Sequence, residues 1–224
     1  MKIEFIRHSC NIIEFDNCQI LFDYTDGKLP IINKPLIVFV SHDHSDHYNP
    51  DIFRMFDNNN TYYILSDDIN YHHEHPNIKK VSPNKEYDLN FNNINLKVKT
   101  LLSTDKGVAY IIEINNKKIY FAADLHLWLW NDEDEKDNNI VMEDKYYKEL
   151  IKLKDEHFDL AFLVLDPRQE ELMYLGITSF LNISNAEKII PIHFENNFKN
   201  NIYAHKYISN KIINITHNNQ IIEI

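Results

Sequence analysis

Glycine is nearly absent from this chain, with 3 in 224 residues, at positions 27, 107 and 176. Phosphate-cradling loops and the strained turn that exposes a nucleophilic serine both need several glycines at fixed spacing, because the backbone there takes positive φ or closely approaches a ligand. Neither motif can be written with these positions, which sets aside phosphate-loop and serine-elbow chemistry. Cysteine is equally scarce. Cys10 and Cys18 lack CxxC spacing, lie on the first strand patterns and read as free, packed thiols. Basic residues are the minority, 23 Lys and Arg against 34 Asp and Glu, for a formal net charge of −11. A nucleic-acid groove needs clustered cations, and the only dense basic pairs are Lys79-Lys80 and Lys117-Lys118. A small molecule is therefore the expected substrate and nucleic acid the disfavoured one. No apolar run approaches the roughly 20 residues of a membrane span. Residues 1–7 alternate like a strand and not like a targeting segment, so cytoplasmic residence is expected, with no membrane partner. No internal repeat is visible, and the even composition over residues 1–224 reads as one domain.

Histidine, in contrast, is abundant and clustered. Residues 41–48 read Ser-His-Asp-His-Ser-Asp-His-Tyr, directly after the apolar run 36–40. That run has the pattern of a buried strand, so His42, His44, Asp46 and His47 emerge where a rigid element gives way to a loop. In extended chain His42 and His44 project to one side, while Asp46 and His47 lie a turn further on and can serve a second position. Imidazole and carboxylate donors suit zinc first, then manganese or iron, and paired ions stand about 3.5–4 Å apart. Later runs end in the same kinds of side chain: 118–124 in Asp124, 159–165 before Asp166, and 190–194 around His193.

The pattern His-x-His-x-Asp-His at 42–47, followed by the strand ending in Asp124 and the late strand ending in His193, resembles the metallo-β-lactamase superfamily. The resemblance spans nearly the whole chain. It implies an α/β (α+β) fold, the four-layer αββα sandwich of that superfamily. It also implies two divalent ions, one held by His42 and His44, the other by Asp46, His47 and His193, with Asp124 shared and Asp46 also moving a proton. One departure is plain: no His stands between His75 and His126, where most members carry a third ligand of the first ion. Asp105, in the loop between the apolar runs 94–102 and 108–114, is the candidate substitute. It is also good turn chemistry in Thr104-Asp105-Lys106-Gly107. A third possibility is a single ion held by Asp46, His47, Asp124 and His193.

The Trp128 and Trp130 segment after Asp124 resembles a lactonase-like branch, and these rings either wall a pocket or pack the loop onto the core. His126 is a further candidate ligand or acid. Asp166 could orient a ligating imidazole. Arg168 could meet a substrate anion or form a structural salt bridge. His72, His73 and His75 read as an exposed turn, and the acidic run 131–137 as a solvated loop or part of a lid.

The expected activity is that of a metal-dependent hydrolase using metal-activated water on a small-molecule ester or lactone, then a phosphodiester. The alternatives are a mononuclear or degenerate metal-binding protein without hydrolase activity, or a nuclease of the same superfamily. Periodicity places strands at 3–7, 11–15, 19–23, 36–41, 62–66, 78–81, 94–102, 108–114, 118–124, 187–193, 211–215 and 220–224. It places helices from Pro50, at 140–156, at 169–184 and at 198–209.

Overall fold

The computed structural model describes residues 1–56, 60–72 and 76–224; His73 and His75 of the second histidine cluster lie outside the described residues, and His72 is exposed. One sheet contains β1 (Lys2–Arg7), β2 (Cys10–Glu14), β3 (Gln19–Phe22), β4 (Leu36–Val40), β5 (Thr61–Ser66) and β6 (Ile78–Val81). The other contains β7 (Glu86–Phe91), β8 (Ile94–Leu102), β9 (Val108–Ile114), β10 (Lys117–Phe121), β11 (His157–Val164) and β12 (Asn185–Ile192), and β13 (Gln220–Glu223) returns to the first sheet beside β1. The helices are α1 (Ile52–Met55), α2 (Lys136–Leu150), α3 (Leu175–Ile183) and α4 (Lys199–Tyr203). Among the described residues no helix is long and apolar enough to cross a membrane.

Three separate apolar clusters show that the layers are αββα. Ile20, Phe22, Ile37 and Phe39 of the first sheet meet Tyr110, Phe121 and Phe162 of the second, with Phe22 stacked on Phe121 at 4.5 Å. The opposite face of the first sheet, Leu21, Val38 and Val40, packs on Ile52, Phe53 and Phe56 around α1. The opposite face of the second, Ala161 and Leu163, packs on Leu150 of α2 and on Ile177 and Phe180 of α3. Strands buried on both faces cannot alternate apolar with polar, which is why β4 and most of β11 read as continuous apolar runs.

Some expected elements differ. β7 was not expected because Glu86, Asp88 and Asn90 dilute the strand signal; it is an edge strand paired only to β8, alternating between exposed and half-buried. The expected strand 211–215 is reduced to a single bridge, Ile189 to Ile212. The expected helix 169–184 breaks at Glu170 (φ 54°), leaving tight turns over Pro167–Tyr174 before α3, because Gln169 is committed to long-range hydrogen bonds. The helix expected at 140–156 starts at Lys136 and ends at Leu150. The acids at 133–135 form a turn before its positive end, where a helix dipole favours them.

What positions the site is strand direction. β1, β3 and β4 run one way in the first sheet, and β8, β10, β11 and β12 run one way in the second. The residues just beyond their carboxyl ends are His8, Asp23, Ser41–Tyr48, Ser103–Asp105, Asp124, Asp166 and His193. Gly107 is the close-packed joint of this edge. At φ +68° it lies against the start of the 41–48 loop, and a Cβ there would meet the Ser41 carbonyl oxygen at 2.0 Å and His42 Cβ at 2.6 Å. Gly107→Ala is expected to destabilise the fold by at least about 2 kcal/mol, combining overpacking with left-handed strain. A thermal melt unchanged from the parent would contradict that packing.

Candidate metal centre

The site is assembled from turns that hold non-glycine residues at positive φ: His8 (48°), Asp23 (42°), Ala123 (46°) and His193 (65°). Such backbone is sparsely populated outside glycine and gathers where the surrounding structure over-determines a functional turn. Two groups of donors result. His42, His44, Asp105 and Asp124 bring one ligand atom each within 4.8 Å of one another, and His8, Asp46, His47 and His193 do the same. Asp124 lies between them. Its Oδ2 is 3.5 Å from His42 Nε2, while its Oδ1 is 3.2 Å from His47 Nε2 and 3.5 Å from His193 Nε2. Asp105 Oδ2 is 3.3 Å from His44 Nδ1, so the acid expected to replace a missing histidine stands in the first group.

Hydrogen bonds behind the rings decide which nitrogen faces the site. Ser41 gives its only hydroxyl proton to Asp23 Oδ2 at 2.6 Å, so His42 Nδ1, 2.9 Å from that hydroxyl, must be the donor. His47 Nδ1 donates to the same Asp23 oxygen at 2.7 Å, and His193 Nδ1 donates to Asp166 Oδ2 at 3.0 Å. Each neutral ring then aims an Nε2 lone pair at carboxylate oxygen, acceptor against acceptor. His42 Nε2, His47 Nε2 and Asp124 Oδ1 are buried without a hydrogen-bond partner among the described residues. Such a set is resolved only by protons or cations.

The electrostatics agree. For His193 burial pulls the pKa down, but Asp166 and Asp46 overcome it and push it up to about 9. For His47 burial also opposes the charge, yet Asp124 and Asp23 hold the pKa well above the usual value. Burial works against the Asp124 carboxylate, but His47 and the neighbouring imidazoles keep it well below the usual range. His193 and then His8 do the same for Asp46. His42 is lowered, mainly by burial. The centre therefore attracts positive charge, and a nitrogen and oxygen donor set without thiolate fits zinc, manganese or iron.

His126 is brought to neither group. Its Nε2 lies 2.7 Å from Gln169 Oε1, its pKa is pushed down to about 4 by burial, and Gly176 of α3 presses so closely that a Cβ would reach 2.3 Å from the ring. Gln169 also donates to the carbonyls of Leu127 and Leu129 at 2.8 and 3.2 Å, which fixes the segment carrying the tryptophans. Trp128 serves both expected roles. It belongs to the inter-sheet core, donates to the Asp124 carbonyl at 3.1 Å, and lines a cleft of about 370 Å³ with Trp130, Met142, His44, Asp105 and Asp46. Arg168 closes the other side of that cleft and pairs with Asp166 through Nε at 2.9 Å. A larger recess of about 640 Å³ over Leu89, Leu96 and Ile114 holds Lys, Asp and Glu side chains but no histidine. The convergent donors lie instead at the smaller cleft.

Sequence reasoning did not single out His8, Asp23 or Gln169. For His8 and Asp23 a signal existed, since His8 directly follows the strand pattern 3–7 and Asp23 closes the apolar run 20–22. Gln169 carried none.

A family model described as a beta-lactamase superfamily domain matches residues 2–142. Among solved structures, Igni18, described as a novel metallo hydrolase from the hyperthermophilic archaeon Ignicoccus hospitalis, superposes with a TM-score of 0.65 at 14% identity, covering 99% of this chain and 97% of its own. The metallo-beta-lactamase fold protein YhfI from Bacillus subtilis gives 0.61 at 13% identity, covering 99% of each chain. The short form of human tRNase Z gives 0.56 at 14% identity, covering 100% and 99%. At these identities the likeness is one of fold. No curated protein matches the chain.

Proposed function

The chain belongs to the beta-lactamase superfamily, and from that premise we propose that it is a metal-dependent hydrolase acting on a small-molecule ester or lactone. The observation that carries the proposal is the shared Asp124: its two oxygens face two donor groups whose buried Nε2 atoms have no hydrogen-bond partner, and a cleft opens onto both groups. On this reading His42, His44, Asp105 and Asp124 would hold one ion, and Asp46, His47 and His193, with Asp124 shared, the other. Divalent cations there, with zinc proposed, would polarise a carbonyl or phosphoryl oxygen and lower the pKa of a water from 15.7 toward about 7.

The chain's own groups do the rest. Asp23 and Asp166 hold the His47 and His193 rings in one tautomer and orientation. Asp46, its side chain 44% exposed at the cleft, is the carboxylate placed to accept and pass on a proton. Trp128, Trp130 and Met142 give the cleft an apolar wall that keeps water from one side. Arg168 spends Nε and Nη2 on Asp166; its Nη1 has no partner among the described residues and is free for an anionic group. That guanidinium is what supports phosphodiesters as the second substrate class. The net charge of −11 weighs against a long nucleic acid.

The test begins with metal per chain, by mass spectrometry, on protein purified without chelator or histidine tag, followed by turnover of lactones, aryl esters and phosphodiesters. Two ions and lactone or ester turnover are expected. Asp105→Ala should lose one of the two ions, the one held beside the more exposed His44, while the ion at the buried rings stays. Retention of both ions in Asp105→Ala would remove Asp105 from the donor set. Absence of metal in the parent protein would end the hydrolase reading.

A further inference from the structure

We infer that His8 is a metal donor of the second group, so that this ion is enclosed by His8, Asp46, His47 and His193 with Asp124 beside them, while the first group is the one left open. The inference rests on the metal reading above and concerns a residue that reading does not use.

The backbone argues first. β1 and β2 are joined by the two residues His8 and Ser9, since Arg7 pairs with Cys10. Two-residue hairpin turns with positive φ at the first position favour Asn, Asp or Gly, yet histidine occupies it at φ 48°. Turn chemistry does not account for the choice. The ring is buried, and among the described residues neither of its nitrogens has a hydrogen-bond partner. A buried polar atom left unsatisfied carries its full desolvation penalty, so a histidine kept only for packing is a poor solution here. The His8 carbonyl also accepts from the His193 amide at 3.2 Å, tying the turn of one sheet to the last donor turn of the other.

The side chain then repeats the plan of its neighbours. Ligating imidazoles generally present one nitrogen to the metal and the other to a carboxylate. His47 has Asp23 behind Nδ1, His193 has Asp166, and His8 has Glu195 Oε1 at 3.4 Å. Arg7 Nη2 holds Glu195 in turn at 3.4 Å. In front, Nε2 of His8, His193 and His47 stand 3.4, 3.6 and 3.7 Å from the same atom, Asp46 Oδ2. Donors about 2.0–2.2 Å from one ion are spaced roughly 3.3–3.6 Å apart at tetrahedral angles. Three imidazoles, two of them hydrogen-bonded to a carboxylate and His8 with one nearby, thus converge on one carboxylate at close to the spacing of a common cation. In the first group two of the four donors, His44 and Asp105, are exposed, with side chains 44% and 47% accessible, against Asp46 alone in the second. Closed donor sets retain their ion, and open ones leave positions for water and substrate. The two ions should therefore bind unequally, the His8 ion more tightly.

The deciding experiment is a zinc titration of metal-stripped protein against a competing chromophoric chelator. The unsubstituted protein should take up two ions with distinct affinities. His8→Ala should weaken the tighter event by at least about tenfold and leave the weaker one in place, and Glu195→Gln should weaken the same event by less. Because His8→Ala could disturb the hairpin, the ring nitrogens of His8 are also followed by nitrogen NMR in the unsubstituted protein, where zinc should move Nε2 as it moves those of His47 and His193. Two unchanged binding events in a folded His8→Ala protein, or His8 nitrogens that do not respond to bound zinc, would overturn the inference and leave the metal reading intact. No zinc uptake by the unsubstituted protein would overturn both.

Discussion

Asp124→Asn is expected to leave a folded protein that has lost most of its metal and turns over substrate more than about 100-fold more slowly. The side chain is buried, 5% accessible, and its two oxygens face different partners, Oδ2 toward His42 and Oδ1 toward His47 and His193. Asparagine keeps the shape but replaces one anionic oxygen with an N–H₂ group, so one donor group loses its oxygen outright and the other loses the charge. Changes one layer behind a ligand already cost about 10–100-fold in metal affinity or activity, and removal of a shared donor should exceed that range. The backbone of the turn should survive, because its anchors lie elsewhere: the Leu125 amide bonds to the Ala122 carbonyl at 2.9 Å, and the Thr104 hydroxyl bonds to the carbonyl of His126 at 2.6 Å and stands 3.0 Å from that of Asp124. The check is metal per chain and turnover alongside circular dichroism. A folded Asp124→Asn protein with two ions and parental turnover would sink the shared-donor reading.

The fold class was legible for a physical reason. Burial on both faces makes β4 and the carboxyl-terminal halves of β11 and β12 continuously apolar, with polar residues following directly at the carboxyl ends, so strand ends and candidate donors announce each other in sequence. The gathering of His42, His44, Asp46, His47, Asp124 and His193 at one edge was readable from strand ends, as were the positions of Asp105 and Asp166 there. His8 and Asp23 obey it as well, at the ends of β1 and β3, but each stands alone in sequence, and only the convergence of two sheets reveals its company. Gln169 was not legible at all, because its role depends on reaching the carbonyls of Leu127 and Leu129 and the ring of His126 across some 40 residues. The same bonds break the first turns of the helix expected at 169–184, of which Leu175–Ile183 forms as α3. β7 was missed for the opposite reason: an edge strand exposed on one side can be written in Glu, Asp and Asn, and only its partner β8 identifies it.

Asp23→Ala is expected to have the largest effect on stability, about 3–5 kcal/mol, with a fall in melting temperature of roughly 6–20 °C. Asp23 is fully buried at the end of β3, and three donors converge on it: the Ser41 amide at 2.8 Å, the Ser41 hydroxyl at 2.6 Å and His47 Nδ1 at 2.7 Å. Alanine leaves all three unsatisfied in a place water does not reach, at a residue whose φ of 42° alanine tolerates less well than aspartate. Asp23→Asn separates the structural from the orienting role. Its oxygen can still accept from Ser41, but its amide hydrogens face His47 Nδ1 and favour the tautomer in which that nitrogen accepts and Nε2 carries the proton. The His47 lone pair then no longer points at Asp124. Asp23→Asn should therefore melt closer to the parent than Asp23→Ala while binding zinc about 10–100-fold more weakly at the second donor group. Parental zinc affinity in a folded Asp23→Asn protein would reduce Asp23 to a scaffold residue, and parental melting in Asp23→Ala would show that the three hydrogen bonds add nothing to the fold.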